Sequence, residues 1–247
     1  MNIKSFTKPS YLAIGLAGAI ICSFGNARAN DTRIIGGFDV NIEEVPSTVA
    51  LIDANILDAS ASLFQSQFCG GTIIGDRWVL TAAHCVESPD GVPSTAQDIL
   101  VLMGTTDLRN PVADPVPVQR IIQHEEWSRR TTKNDIALLE LAQRATQPAI
   151  AMDTRTPQLQ DDAFIAGWGT ISIDAEGNPT AYATTLQGVY VELTPGDVCG
   201  SLYPVYADSL DGTQVCVGVP EGGKGACFGD SGGPAYRVTD QNTIVLS

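Results

Sequence analysis

The sequence is poor in histidine, in basic residues and in aromatics. Only His84 and His124 occur in 247 residues, so chemistry that needs an imidazole has two candidates. Fourteen Lys and Arg stand against 28 Asp and Glu, a formal net charge of −14. Such a surface repels nucleic acid and anionic membrane, so neither is expected as a partner, and solubility is its simplest role. Aromatic residues make up 6% of the chain, whereas Gly (24) and Pro (14) are plentiful. That balance suits a turn-rich β protein better than a helical bundle. No internal repeat and no low-complexity tract is visible. No H-E-x-x-H pattern occurs and the cysteine spacing does not suggest zinc, so neither a metal site nor a cofactor is expected.

Long apolar runs are also lacking. The stretch from Tyr11 to Phe24 has fourteen residues, too short to span a bilayer comfortably. Lys4 and Lys8 precede it, and Ala27-Arg28-Ala29 follows as a small-x-small cleavage pattern. Residues 1–29 therefore read as a secretory signal peptide, which implies a secreted, extracellular product. Lipidation at Cys22 is disfavoured by the crowding of Ile20 and Ile21. Removing residues 1–33 takes away four cations and the single anion Asp31, so the net charge moves from −14 to −17. Cys22 leaves too. Cys69, Cys85, Cys199, Cys216 and Cys227 remain, an odd number in an oxidising compartment, so one thiol lacks a partner.

Residues 224–234 read KGACFGDSGGP, with Ser231 in a glycine-rich turn. Gly229 to Gly233 also fits G-x-S-x-G, the nucleophile elbow of α/β-hydrolases. That fold places its catalytic His after the Ser, and no His follows Ser231, so this chain cannot complete that triad. His84 lies in RWVLTAAHC, where Trp78 to Leu80 reads as a short buried strand and Thr81 to Cys85 as a turn able to hold an imidazole against a cleft. His124 lies in IIQHEEW beside Glu125 and Glu126 and reads as a surface residue. An imidazole base needs a carboxylate to fix its tautomer. Asp135 precedes the apolar run Ile136 to Leu139, which is expected to bury the start of that strand. A buried Asp is costly unless paired, and both a structural cap and a histidine partner satisfy that requirement.

TAAHC, NDIALL and GDSGGP occur in the order His, Asp, Ser. IIGG at 34–37, FCGGTII at 68–74, AGWGT at 166–170 and EGGKGACFGDSGGP at 221–234 accompany them. On these motifs the chain from 34 to 247 resembles the chymotrypsin-like (trypsin-fold) serine peptidases. The resemblance implies an all-β fold of two antiparallel six-stranded barrels with the active site between them. Residues 34–142 would form the first barrel, 143–160 a Pro- and polar-rich crossover, and 161–247 the second barrel. The alternation of Val189, Val191 and Leu193 with Tyr190, Glu192 and Thr194 agrees with a strand.

By the same resemblance Ser231 is the nucleophile, His84 the general base and then acid, and Asp135 the group that orients the imidazole. The N–H groups of Gly229 and Ser231 would bind the oxyanion. Cys69 would pair with Cys85 and Cys199 with Cys216, leaving Cys227 unpaired; four cysteines alone permit three pairings. Residues 30–33 would be a propeptide. A cut after Arg33 would free the Ile34 amine to pair with Asp230. The residue six before the nucleophile sets the base of the primary pocket. Here it is Gly225, followed by Ala226, where relatives that select Lys or Arg carry an acid. The pocket is thus expected to prefer apolar or small side chains. The partners implied are a protein or peptide substrate, an activating trypsin-like protease and proteinaceous inhibitors, with the enzyme a monomer. Sixteen residues follow Ser231, fewer than the family carries, so the second barrel is expected to be incomplete and the partner of Cys227 missing. A catalytically impaired or non-enzymatic homologue is the alternative that this shortness raises.

Overall fold

The computed structural model describes residues 34, 36–154, 162–194, 214, 216–219, 223–238 and 244–246. The expected signal peptide, the propeptide with Arg33, and Cys199 lie outside the described residues. In chain order the strands of the first half are β1 (Phe38–Asp39), β2 (Thr48–Asp53), β3 (Gln67–Gly75), β4 (Trp78–Thr81), β5 (Ile99–Met103), β6 (Val116–Gln123) and β7 (Ala137–Leu141). Those of the second half are β8 (Asp162–Gly167), β9 (Thr170–Ile173), β10 (Pro179–Tyr182), β11 (Gln187–Thr194), β12 (Cys216–Gly218), β13 (Ala235–Val238) and β14 (Ile244–Leu246).

Strands β2-β3-β4-β7-β6-β5 close into an antiparallel barrel, which leaves no unpaired edge. The second sheet is also antiparallel and six-stranded, in the order β1-β11-β8-β13-β14 with β12 on β11. Among the described residues no strand pairing closes it. Strands β9 and β10 form a separate hairpin.

Period-two patterning places the cores. Strand β2 is buried on both faces. Val49 and Leu51 point into the closed barrel with Ile73, Val79, Val101 and Leu139. Ala50 and Ile52, one residue out of phase, face the second sheet with Leu102, Phe164, Trp168, Leu186 and Tyr236. The expected alternation in β11 holds: Val189 and Val191 are buried while Tyr190 and Glu192 are exposed. Ile34 is fully buried beside those valines, with Ala163 and Ile165.

Two short helices interrupt the β2–β3 connection: α1 (Ala54–Ser60) and α2 (Leu63–Ser66). Asp53 caps α1 by accepting from the N–H groups of Asn55 and Ile56, and Ser62 caps α2 by accepting from Gln65 N–H. Ala61 between them takes a left-handed conformation (φ 52°), which ends α1. Leu57, Leu63 and Phe64 dock the insertion on the core between the sheets. The chain re-enters the barrel at Gln67.

Cys69 and Cys85 form a disulfide that closes a 16-residue separation. In the chain-entropy view such a loop contributes about 3 kcal/mol. Cys216 is also disulfide-bonded, and Cys227 carries a free thiol. Arg237 of β13 donates from Nε to Asp153 at 2.6 Å, tying the second sheet to the segment that leaves the first barrel. No helix among the described residues is long and apolar enough to cross a membrane.

Candidate active site

Strands β4 and β7 are neighbours, with Thr81 opposite Ala137. That pairing brings the residues just beyond β4 beside the residues just before β7. His84 sits on the 3₁₀ turn Ala83–Val86 after β4, and Asp135 lies two residues ahead of β7. The turn is pinned by the Cys69–Cys85 disulfide and by Gln123, whose Nε2 donates to Ala83 O at 3.0 Å. His84 Nδ1 lies 2.7 Å from Asp135 Oδ2, and His84 N–H donates to Asp135 Oδ1 at 2.8 Å. Both carboxylate oxygens therefore engage one residue, which fixes the plane and direction of the imidazole.

Asp135 is less buried than the apolar run after it suggests. Its side chain is 26% exposed and Ile136 is 43% exposed. Strand pairing begins only at Ala137, and the segment before it is a series of turns with positive φ at Thr132 and Asn134. His124 is exposed, and its Nδ1 accepts from Glu126 N–H at 3.1 Å, so it shapes its own loop.

The loop carrying Ser231 docks on the first barrel through main-chain contacts. Gly70 N–H donates to Ser231 O at 2.7 Å. Gly232 has φ +76°, and a Cβ there would collide with Thr81 Oγ1 and come within 2.8 Å of Ala82 N. Glycine is required on both counts. Cys85 Sγ lies 3.5 Å from Ser231 O and 3.7 Å from His84 Nε2, so the serine main chain and the imidazole rest against the same sulfur. The main chain of Ser231, from the second half of the sequence, thus lies beside the His84–Asp135 pair of the first half, with Cys85 Sγ between them. Gly229, also in this loop, has φ +94°.

Asp230 is almost fully buried. Its carboxylate accepts from Gly169 N–H at 2.8 Å and from Cys227 N–H at 3.0 Å. Side chains at Gly167 or Gly169 would occupy the space of this carboxylate, which explains the two glycines of AGWGT. Burial pushes the Asp230 pKa up to about 6, against the lowering effect of the two N–H donors. Gly225 is half-buried and Ala226 exposed. Among the described residues a Cβ built on Gly225 would meet nothing within 4 Å. Beside the imidazole lies a cavity of about 520 Å³ lined by His84, Trp127, Arg129, Thr132, Asp135 and Gln214.

A His–Asp pair beside a glycine-framed serine is a constellation that unrelated folds share, so relatives are needed to decide between families. The family model described as Trypsin matches residues 34–247. "Trypsin 5G1" of Aedes aegypti is 31% identical over 226 residues, covering 89% of this chain and 76% of the relative. "Serine protease 1" of Homo sapiens is 31% identical over 231 residues, covering 92% and 81%. "Trypsin" of Sarcophaga bullata is 33% identical over 227 residues, covering 90% and 82%.

The chain belongs to the trypsin family. It is accordingly a serine endopeptidase, a hydrolase with protein substrates. In this trypsin-family chain the closed barrel supplies His84 and Asp135, and the second half supplies the Ser231 loop. Sequence reasoning missed two residues at the site. Gln67 Nε2 donates to Gly229 O at 2.8 Å, and Thr170 donates to Phe228 O from N at 2.7 Å and from Oγ1 at 3.1 Å. Gln67 lies 162 positions from Gly229, and only the fold brings them together. Thr170 belongs to the AGWGT motif, so its position, though not its role, was visible.

Proposed function

We propose that the protein is a secreted serine endopeptidase, made as a zymogen and activated by cleavage after Arg33. Ser231 Oγ attacks the scissile carbonyl carbon and gives its proton to His84 Nε2. The C–O⁻ that forms lies against the N–H groups of Gly229 and Ser231. Collapse breaks the C–N bond, and the amine leaves with the proton from His84. Water then repeats the sequence on the acyl-enzyme and frees Ser231. Asp135 keeps its negative charge and steadies the imidazolium. Loss of one oxyanion donor costs about 10²–10³ in rate in such sites.

The observation that carries this reading is the two-point hold of Asp135 on His84, at 2.7 and 2.8 Å, where the Ser231 loop docks. Activation has its own support. Among the described residues Asp230 is buried with two N–H donors and no cation as hydrogen-bond partners, and Ile34 is already seated in the second-sheet core. A new α-ammonium group at Ile34 offers the missing charge. A free α-amino group titrates near about 7.7–8.0, and pairing raises that value, so the active form is lost as pH climbs through the raised pKa. Gly225 offers no acid to a Lys or Arg side chain, so substrates carry an apolar or small residue before the scissile bond. The cavity beside His84 receives a neighbouring substrate side chain. Export rests on residues 1–29, and the partners are an activating trypsin-like protease and proteinaceous inhibitors of a monomeric enzyme.

Fluorophosphonate labelling tests the reading. The chain cut after Arg33 takes up one label, the Ser231→Ala variant takes up none, and the uncut Arg33→Gln variant labels far more slowly. A folded, cut chain that stays unlabelled would mean a non-enzymatic homologue.

A further inference from the structure

Glycine at 229 solves one problem and creates another. Without a Cβ it adopts φ +94°, where a side chain would approach Gly169 Cα at 3.1 Å. The same freedom lets the peptides on either side rotate away, since glycine has little intrinsic preference to hold them. Something outside the loop must fix the direction of the Gly229 N–H.

Two clamps do so. On one side Phe228 O accepts from Thr170 N and Thr170 Oγ1, at 2.7 and 3.1 Å. The peptide is planar and trans, so the Gly229 N–H points away from Thr170. On the other side Gly229 O accepts from Gln67 Nε2 at 2.8 Å, while Asp230 N–H donates to Cys227 O at 3.0 Å. The second Nε2 proton of Gln67 goes to Cys69 O at 3.1 Å, so the amide spends both donors and is itself held to β3. Gly70 of the same strand holds the Ser231 carbonyl. Strand β3 of the first barrel thereby grips both residues whose N–H groups face the oxyanion, from positions three apart.

We infer that Gln67 is a positioning residue for oxyanion binding, aided from the opposite side by Thr170. This rests on the peptidase reading above. Gln67 does not touch substrate. It holds the peptide that follows Gly229, while Thr170 holds the one that carries the Gly229 N–H. With both neighbouring planes fixed the glycine cannot rotate, so the N–H is aimed before the negative charge develops, and preorganised donors of this kind act chiefly on the transition state. An amide does not titrate in the working range, so this clamp is independent of pH, unlike Asp230. The insertion α1–α2 ends one residue before Gln67 and sets where β3 begins.

The test uses the activated enzyme and a peptide amide substrate. Gln67→Ala is expected to lower kcat about 10-fold with KM changed less than about twofold. A peptide trifluoromethyl ketone, which forms a hemiketal oxyanion on Ser231, is weakened by a similar factor, while the product peptide acid binds as before. Gln67→Glu keeps the shape but turns an acceptor toward Gly229 O, and it is expected to lose more than Gln67→Ala. Unchanged kcat in Gln67→Ala, or equal weakening of ketone and product, would overturn the inference. Should circular dichroism show that Gln67→Ala does not fold, Thr170→Val decides: it removes one bond to Phe228 O at constant shape, and about a threefold loss in kcat is expected. No loss in that variant overturns the inference instead. A cut wild-type chain that takes no fluorophosphonate label overturns the peptidase reading as well, whereas a labelled wild type with a fully active Gln67→Ala overturns this inference alone.

Discussion

A buried carboxylate with no cation among its hydrogen-bond partners in the described residues makes Asp230 the most consequential residue for the pH behaviour of the uncut chain. Its native pKa is pushed up to about 6 by burial. The unfolded chain releases that proton near about 3.9. Between these values the native state binds more protons than the unfolded state, so rising pH destabilises it. The favourable balance is intact below about pH 4 and is lost as pH climbs through about 6, at a cost of about 3 kcal/mol. In the uncleavable Arg33→Gln background, Asp230→Asn should match its parent in urea midpoint near pH 4 and exceed it near pH 8. Urea titrations at the two pH values check this, and parallel behaviour of the two proteins would refute it. Once Ile34 carries a free amine, pairing with Asp230 should shrink the difference. A residue-level reading of the sequence reached His84, Asp135 and Ser231 because motif and order mark them. It could not reach Gln67, because a lone Gln after a polar stretch carries no pattern, and its partner is 162 positions away.

At the scale of elements, the turn that carries the nucleophile is a surface fitted to the first barrel. Gly232 packs where a Cβ would meet Thr81 Oγ1, Ala82 N and Gly70 O, and its φ of +76° disfavours any other residue. Gly232→Ala is expected to push the turn off β3 and β4, break the Gly70–Ser231 bond and lower kcat at least about 100-fold, with a stability loss of about 1–3 kcal/mol. Kinetics and thermal unfolding on the same sample check both effects. Survival of full activity would show that the docking is dispensable. The short strand at 78–80 and the turn at 81–85 were readable from local composition. The helical insertion was not anticipated, although its signal was present: Asp53 and Ser62 are N-cap residues ahead of Leu- and Ile-containing segments. The burial expected at Asp135 was overestimated because an apolar run announces a strand without locating the first paired residue.

Across the whole molecule, the closed barrel and the second sheet meet through an apolar core with a polar centre. Tyr236 of β13 is 1% exposed, and its hydroxyl lies 2.9 Å from Ser47 Oγ and 2.8 Å from Thr48 Oγ1 at the start of β2. Burial raises the phenol pKa to about 12, so it stays neutral at any pH the protein meets. Tyr236→Phe keeps the packing but leaves two buried hydroxyls without this partner. It should cost about 1–3 kcal/mol and, since Tyr236 lies five residues after Ser231, loosen the seat of the nucleophile loop. Denaturant unfolding of Tyr236→Phe against wild type measures the cost, and a change below about 0.5 kcal/mol would show that the hydroxyl network contributes little.

The sequence by itself determined the β class and the strand alternation in β11, and it marked His84, Asp135 and Ser231 as the candidates for the site, because these depend on local period and on motifs read along the chain. Tertiary structure alone decided that β4 and β7 are neighbours and so set 84 beside 135. It also decided that one sulfur separates the imidazole from the Ser231 carbonyl, and that a glutamine on β3 steadies a glycine in the other half. The physical reason is that strand pairing and side-chain hydrogen bonds join residues by distance in space, and a linear pattern carries no record of which distant residues the folded backbone will bring within 3 Å.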